Sequence, residues 1–470
     1  MSSALFSLVL LSFLLSVAPV IAAEPQLLQR SDTEMPDGFD NSRFGGAMDA
    51  QDVSLVIGAQ DVEAAYVFAF DDDEWREVVK LTSIDSETGA GFGSAVAIDG
   101  DVIAVSAPEA TVDGLADAGA VFVFERNVGG GDWAQVTRLV AADPVTTARF
   151  GYNIDLDAGR IIASSREFDG AAYLFERDAA GAWNLAMEFT GQDGGAADVS
   201  SVAVSADVIA LAEDANGVFI YEHNGFDWLL RKFIAATAEY PSRMYVALEG
   251  HVLAVAEPDA DTDDERPRND GVVHVHERDG NWVHVATLQA VDPVAYSSFG
   301  IGLDVQDGVL VVTENHETTG TYVFAKDEIG DWRLITSFRQ GSVHGYRQAA
   351  TVSARTLAIG YPGPEIANVY AYDMADLMPA VSDDDDDSGS PDDDTSGVAD
   401  EGDGEGGDNS GGVADGDDSG SSDDIAMEAG ENDTANNEPP EQDTGSGGGL
   451  MGWLTALLLF VAGMRRWSNS

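Results

Sequence analysis

The chain of 470 residues contains no cysteine, which excludes disulfide bonds, thiolate metal sites and a cysteine nucleophile. It also lacks a Gly-x-Ser-x-Gly elbow, a His-Glu-x-x-His zinc motif and a phosphate-binding glycine loop. These absences predict a protein that is not an enzyme, and the sequence indicates no catalytic residue.

Basic residues are scarce. The chain has 23 lysines and arginines against 84 aspartates and glutamates, a formal net charge of −61 at pH 7. Residues 382–449 hold 24 of the acids and no lysine or arginine, and the rest, apart from Arg465 and Arg466, still carries 60 acids against 21 bases. Such a surface repels nucleic acids and anionic lipid headgroups. We therefore expect no nucleic-acid partner.

Long apolar runs occur only near the two ends of the chain. Residues 5–17 are mostly apolar, and the small residues Ala22 and Ala23 follow. This pattern predicts a secretory signal peptide over residues 1–23 that is cleaved after Ala23, although no lysine or arginine precedes the apolar run. The alternative interpretation is a buried first helix of the folded protein.

Between these ends, residues 92–139 form a unit that the rest of the chain repeats. The unit contains four short alternating segments rich in β-branched and aromatic residues, and Gly, Pro or Asp stands at each boundary. Such segments predict strands joined by tight turns. A self-similar unit of about 50 residues indicates a propeller or an array of four-stranded antiparallel sheets.

Seven copies of the first three strands are present, but only six copies have the tryptophan that begins the fourth strand. These tryptophans are Trp75, Trp133, Trp183, Trp228, Trp282 and Trp332. We expect residues 25–29 to supply the missing outer strand, with Leu27 and Leu28 beside Tyr370. The prediction is an all-β, seven-bladed β-propeller over residues 24–376, closed by an N-terminal strand.

The two faces of this propeller should differ. The first strand of each sheet should lie nearest the axis and end in a tight turn such as Asp99-Gly100 or Asp307-Gly308. The loops after the second strands emerge on the opposite face, together with the connections between sheets, and residues 108–117 and 258–270 are the longer loops there. Because binding residues concentrate on loops held by a rigid scaffold, we place any ligand site on that face.

One of these loops contains a candidate metal site. Asp259, Asp261 and Asp263 place carboxylates at alternate positions, a spacing that hard cations use when a loop wraps around them. Calcium is the only cofactor that the sequence suggests. The glycine and the bidentate glutamate of an EF-hand loop are missing, so a solvated acidic loop is the alternative interpretation.

Three histidines, His274, His276 and His284, also lie close together in the sequence. Alignment of the third strands puts His274 and His276 at positions that the other copies fill with phenylalanine or tyrosine. These positions are predicted to pack between neighbouring sheets. We therefore interpret these two histidines as structural, and a metal site is the alternative.

The order of Phe-Gly, an apolar strand, Ala-Pro or Gly-Ala, an aromatic strand and Trp resembles the bacterial FG-GAP repeat family. Its repeats are related to the integrin α-subunit β-propeller. Phe92-Gly93, Ala107-Pro108 and residues 119–126 carry the resemblance best, and it extends over roughly residues 25–373. The resemblance implies the fold more strongly than any function. Integrin-type repeats often carry a calcium loop between the first two strands, and a short Asp-Gly turn stands there in this chain.

The carboxy-terminal part differs in composition. Residues 377–449 are rich in Asp, Gly and Ser, which predicts a disordered stalk that charge repulsion extends. Residues 450–464 are apolar, and the basic tail 465–470 follows with Arg465 and Arg466. This order predicts a short membrane-spanning helix with a cytoplasmic tail.

Gly447, Gly448 and Gly449, together with the apolar run and the two arginines behind it, resemble the GlyGly-CTERM sorting tail. The resemblance implies recognition by a rhombosortase-type intramembrane protease, cleavage near the glycines and passage to the cell surface. A permanent tail anchor is the alternative, since a short span can be accommodated by a thinned bilayer.

From all these features we expect a non-enzymatic, exported binding or adhesion module, displayed on the cell surface or outer membrane or secreted. Its partners would be an extracellular protein or glycan, the general secretion machinery, the sorting protease and, through the C-terminal helix, the membrane. Two other functions remain open. One is a surface or periplasmic hydrolase that uses acidic residues on the loop face, and the other is a structural component of a surface layer or matrix.

Overall fold

The computed structural model describes residues 25–30, 42–85, 87–127, 131–166, 170–190, 199–214, 216–237, 243–261, 269–315, 318–341, 348–363 and 367–378. The predicted signal peptide, most of the stalk, the sorting helix and the basic tail lie outside these residues. Within them, no helix is long and apolar enough to cross a membrane. The domain boundaries given above therefore stay predictions.

The described residues form 28 strands in seven four-stranded antiparallel sheets, which we call blades. The closing strand is β1 (Gln26–Leu28). Blade 1 consists of β2 (Met48–Gln51), β3 (Ser54–Ala59), β4 (Ala64–Asp71) and β5 (Glu74–Leu81). Blade 2 consists of β6 (Val96–Asp99), β7 (Val102–Ala107), β8 (Ala120–Arg126) and β9 (Trp133–Leu139). Blade 3 consists of β10 (Ile154–Asp157), β11 (Arg160–Ser164), β12 (Ala172–Arg177) and β13 (Trp183–Phe189). A short 3-10 turn, Gln60–Val62, separates β3 from β4.

Blade 4 consists of β14 (Val199–Ser205), β15 (Val208–Glu213), β16 (Gly217–His223) and β17 (Trp228–Ala235). Blade 5 consists of β18 (Tyr245–Glu249), β19 (Val252–Glu257), β20 (Val272–Asp279) and β21 (Asn281–Leu288). Blade 6 consists of β22 (Gly302–Gln306), β23 (Val309–Glu314), β24 (Thr318–Lys326) and β25 (Trp332–Gly341). Blade 7 consists of β26 (Ala349–Val352), β27 (Thr356–Pro362), β28 (Ala367–Asp373) and β1, and the short helix α1 (Met374–Leu377) follows.

The predicted closure of the ring is confirmed. Strand β1 pairs antiparallel with β28, and Leu27 lies opposite Tyr370. Leu28 is buried against the interface between blades 7 and 1, whereas Leu27 is exposed. The first strands of successive blades lie side by side around the axis, and β26 of blade 7 lies beside β2 of blade 1. The seven-bladed propeller is therefore a closed circle.

The Phe-Gly pair that precedes blades 1, 2, 3 and 6 has a physical explanation. The Phe92 ring lies 5.6 Å from the Phe122 ring and 6.1 Å from the Phe124 ring, so the phenylalanine covers the third strand of its own blade. Gly93 has φ +95°, and a Cβ atom there would overlap the Ala64 carbonyl group of blade 1. The pair thus combines a large core side chain with a close approach between two blades that only glycine permits.

A repeated contact joins the outer strand of a blade to the third strand of the preceding blade. The indole Nε1 of Trp183 donates a hydrogen bond to Glu125 of the preceding blade at 3.2 Å. The same contact joins Trp282 to Glu222 at 3.2 Å and Trp332 to Glu277 at 3.0 Å. These three tryptophans therefore have a structural role between neighbouring blades.

Candidate functional site

An axial cavity of about 840 Å³ runs between the seven first strands. It spans both ends of these strands. At one end, the turn mouth, it is lined by the polar residues of the tight first turns, namely Gln51, Asp157, Ser205, Glu249 and Gln306. At the other end, the loop mouth, it is lined by Arg43, Arg149, Tyr152, Arg166 and Arg243.

The side chains at the turn mouth bind the next blade. Four of them, and Asp99 beside them, accept a hydrogen bond of 2.5–2.9 Å from a backbone N–H in the first turn of the following blade. The pairs are Gln51 with Gly100, Asp99 with Ala158, Asp157 with Ala206, Ser205 with Gly250 and Glu249 with Asp307. The first strands have an unpaired edge, and an unpaired backbone donor is costly where water is limited. The polar turn residues satisfy these donors and hold neighbouring blades in register.

Three aspartates lie deeper in the cavity, on the first strands of blades 1, 3 and 6. Asp49 accepts from the backbone N–H of Ile98 at 2.7 Å, and Asp155 accepts from that of Val204 at 2.7 Å. Asp304 accepts from the Val352 N–H at 2.8 Å. Each carboxylate therefore reaches the first strand of the following blade, so all three have a structural role.

Burial changes the acidity of these aspartates. It raises the pKa of Asp155 to about 7, although hydrogen bonds from two backbone N–H groups oppose the rise. Burial also raises the pKa of Asp304. The pKa of Asp49 lies well above its usual range because of burial and of the negative charge of Asp304. The middle of the cavity can therefore hold protons near neutral pH, and it disfavours additional negative charge.

The loop mouth is built differently. Arg43, Arg149 and Arg243 each directly precede the buried residue that opens a blade, Phe44, Phe150 or Met244. Arg166 follows strand β11, and its backbone N–H donates to the Ala148 carbonyl at 2.9 Å. Arg149 and Arg166 thus come from two neighbouring segments of blade 3.

The predicted loop face carries this mouth. The backbone N–H of Arg149 donates to the Asp117 carbonyl at 2.9 Å, so the connection between blades 2 and 3 lies against the loop of residues 108–117. Within that loop Ala110 and Val112 are buried, and Glu87 accepts from the Thr111 N–H at 3.0 Å. The loop is held rigidly, and only its start, Pro108 and Glu109, reaches the cavity.

The proposed calcium loop lies only partly within the described residues. Asp261 accepts a hydrogen bond from the Asn269 N–H at 2.8 Å, and Asp259 is half-buried. Asp263 lies outside the described residues, and no cluster of metal-ligating side chains is found in the part of the chain that is described. Calcium binding stays a prediction, which calorimetric titration of the protein with calcium would test. The predicted sorting residues Ala23, Gly447, Gly448, Gly449, Arg465 and Arg466 also lie outside the described residues.

The three histidines are brought together in blade 5. The His284 ring lies 5.5 Å from the His274 ring and 5.3 Å from the His276 ring. Burial, together with the neighbouring imidazoles of His284 and His274, lowers the pKa of His276 to about 4. Burial also lowers the pKa of His274, while Glu257 opposes this shift. The half-buried His274 and the buried His276 fit the packing role expected for them.

Two features of the cavity were not predicted from the sequence. The aspartates alternate with apolar residues on first strands, as in Ile154-Asp155-Leu156-Asp157, and this alternation could have marked them as axis-facing. An arginine immediately before Phe-Gly occurs at both Arg43 and Arg149 and could have marked the loop mouth. Their convergence across blades 1, 3, 5 and 6 depends on ring closure.

Comparison with known proteins agrees with the fold. A family model described as FG-GAP repeat matches residues 75–124, the stretch in which the Phe92-Gly93 pair lies. No curated protein shows significant sequence similarity to the chain. Many solved structures resemble it, with 931 chains matching significantly. The family match and the blade structure together support an FG-GAP-type β-propeller.

One of the similar structures is a crystal structure of a Bacteroides uniformis protein assigned provisionally as a 6-phosphogluconolactonase. It superimposes with a TM-score of 0.49 and 13% sequence identity, over 67% of this chain and 90% of that one. A similarity this distant says nothing about what the present chain binds or catalyses.

Proposed function

We propose that this protein is a non-enzymatic, exported β-propeller that binds an extracellular protein or glycan at the loop mouth of its axial cavity. The FG-GAP match at residues 75–124 supports this function, because repeats of this family are typical of extracellular proteins. The predicted signal peptide and sorting tail support export through the secretion machinery and processing by a rhombosortase-type protease.

The observation that carries the proposal is the loop mouth itself. Its side chains project from the starts of blades whose backbones are fixed by core packing and by hydrogen bonds between blades. A cavity of about 840 Å³ is within the usual size of small-ligand sites, and a preformed site avoids the cost of ordering loops on binding. The turn mouth is a poorer candidate because its side chains are already bonded to the next blade.

Binding is tested with the purified full-length protein on an array of extracellular glycans and surface proteins. The expected result is saturable binding of at least one class, lost when a bulky side chain is placed at the loop mouth by Gly46→Trp. A bulky side chain at the turn mouth, introduced by Gln306→Trp, should leave binding unchanged, and binding that survives Gly46→Trp contradicts the assignment of the site. Mass determination of the protein from each cell fraction tests export and both cleavages.

A hydrolase is the second candidate, because carboxyl groups with raised pKa values can act as general acids. Asp155 is the group of this kind with a pKa of about 7. However, both of its oxygens accept backbone hydrogen bonds, from Leu156 at 2.8 Å and from Val204 at 2.7 Å. Because both carboxylate oxygens already accept hydrogen bonds, a structural role is favoured for Asp155. Turnover on a panel of glycan and ester substrates that disappears in Asp155→Asn would establish the enzyme instead.

A further inference from the structure

We propose that the loop mouth recognises an anionic group of an extracellular glycan, a carboxylate or a sulfate, through Arg149 and Arg166. This inference rests on the proposed function and specifies the chemistry of its ligand. It begins from an unequal distribution of charge along the cavity. Among the described residues, all four basic side chains that line the cavity are arginines at the loop mouth.

The acids of the cavity are distributed in the opposite way. Asp49, Asp155 and Asp304 lie in the middle, and Asp157 and Glu249 lie at the turn mouth. Glu109 is the only acid in the described part of the chain that lines the loop mouth. An anion that enters from the loop face would therefore meet arginines first and would be stopped by carboxylates below them.

Most arginines elsewhere in the propeller have carboxylate partners. Such pairs within 4.0 Å are formed by Arg76, Arg126, Arg160, Arg177, Arg231, Arg278 and Arg333. At the mouth, Arg43 is also paired, with Asp61 at 3.1 Å. Arg149 and Arg166 form no ion pair with any carboxylate in the described ranges, in a chain that has 84 acids.

Both arginines nevertheless make local contacts. Arg166 lies over the Tyr152 ring, 4.5 Å from its centroid, and donates a hydrogen bond to the Tyr152 hydroxyl at 2.5 Å. The Arg149 backbone is fixed by the Asp117 carbonyl, and its buried Nε has no hydrogen-bond partner among the described residues. A guanidinium group whose donors bind no carboxylate in the described ranges is suited to bidentate binding of a planar or tetrahedral anion.

The shape of the site favours a glycan over a protein partner. A stable protein interface buries about 800 Å² on each partner, usually on a fairly flat surface. The loop mouth is a concave polar cavity, and Tyr152 and Tyr245 line it. An acidic sugar residue combines a charged group for the arginines with a ring that can lie against an aromatic side chain. The acidic remainder of the protein repels polyanions, so binding of one would report a specific site.

The test measures binding of the full-length protein to polygalacturonate, which carries carboxylates, to dextran sulfate, and to neutral dextran. Calorimetry at fixed ionic strength is suitable for all three. We expect binding of one or both polyanions, no binding of dextran, and at least a tenfold loss of affinity in the double variant Arg149→Gln/Arg166→Gln. The matched control is Arg231→Gln, on the outer strand of blade 4, which should change affinity less than twofold.

Each outcome is decisive. Polyanion binding that is unchanged in the double variant overturns the inference, and so does the absence of polyanion binding. If the array instead finds a neutral glycan or a protein bound at the loop mouth, the proposed function stands and only the anionic inference fails. If the double variant does not fold, Arg166→Gln carries the test because the Arg166 side chain is exposed, and a change below twofold in that variant contradicts the proposal.

Discussion

Gln26 and Trp75 are joined by two hydrogen bonds across the point where the ring closes. The Gln26 side-chain amide donates to the Trp75 carbonyl at 2.7 Å, and its oxygen accepts from the Trp75 N–H at 2.7 Å. Gln26 belongs to blade 7 and Trp75 to blade 1, so a single side chain imitates a strand partner between two blades. The two residues hold the first and last parts of the circle together.

We expect the closing strand to contribute strongly to stability. Leu28→Ala should lower the free energy of unfolding by about 2–5 kcal/mol, because it leaves a cavity in a buried interface. Gln26→Ala should lower it by about 1–2 kcal/mol through the two lost hydrogen bonds. Leu27→Ala is the control, since Leu27 is 45% exposed, and it should have little effect. Urea unfolding measures all three, and equal losses at Leu27 and Leu28 would contradict the pairing.

One contact between an outer strand and the preceding blade is incomplete. The buried indole Nε1 of Trp133 has no hydrogen-bond partner among the described residues. Blade 1 has Ala69 at the third-strand position where blades 2 to 5 place a glutamate. We expect Ala69→Glu to raise the free energy of unfolding by about 1 kcal/mol, because it supplies the missing acceptor. In a Trp133→Phe background the same substitution should give no gain. A gain that persists in that background would show that Trp133 is not the partner.

Two glycines near one loop allow the stability cost of backbone strain to be measured apart from the cost of steric overlap. Gly114 has φ +83°, and none of the described residues comes within 4 Å of the place where a Cβ atom would stand. Gly119 has φ +89°, and a Cβ atom there would overlap the Phe150 backbone. Gly114→Ala should cost roughly 1–2 kcal/mol of unfolding free energy from the left-handed conformation alone. Gly119→Ala should cost more or prevent folding, and thermal unfolding of the two variants, compared with each other, gives the difference.

Stability should depend on pH through Asp155. Its pKa is raised from 3.8 to about 7 in the folded protein, so the folded state holds a proton that the unfolded chain releases. The resulting stabilisation is complete below about pH 4 and is lost as the pH rises to about 7. Asp155→Asn cannot titrate and should lack this slope. Urea unfolding between about pH 4 and 8 should show the wild type losing stability relative to the variant, and parallel curves would contradict the shift.

Much of the fold could be predicted from local pattern. Strands such as β6 and β7 alternate and are bounded by Asp-Gly and Pro, and their pairing in a hairpin follows from the short turn between them. Even the closing strand was predictable, because six tryptophan strands for seven copies require a seventh from elsewhere. The cavity was harder to predict from the sequence, since Asp49, Asp155 and Asp304 lie in different repeats and no local pattern indicates that they line the same cavity. The calcium loop and the sorting residues remain predictions for which the described residues offer no test.

The amino-acid sequence by itself determined most of the blades, because six of the seven are built from consecutive segments whose alternation and turns act over a few residues. Only the tertiary structure decided which side chains meet at the axis. Ring closure brings together residues that lie in different repeats, so Arg43, Arg149 and Arg243 share one mouth although the chain separates them widely. The net charge of the whole chain is negative, but the electrostatic field at the loop mouth depends on the distances between charged side chains. Only the closed ring of blades sets these distances.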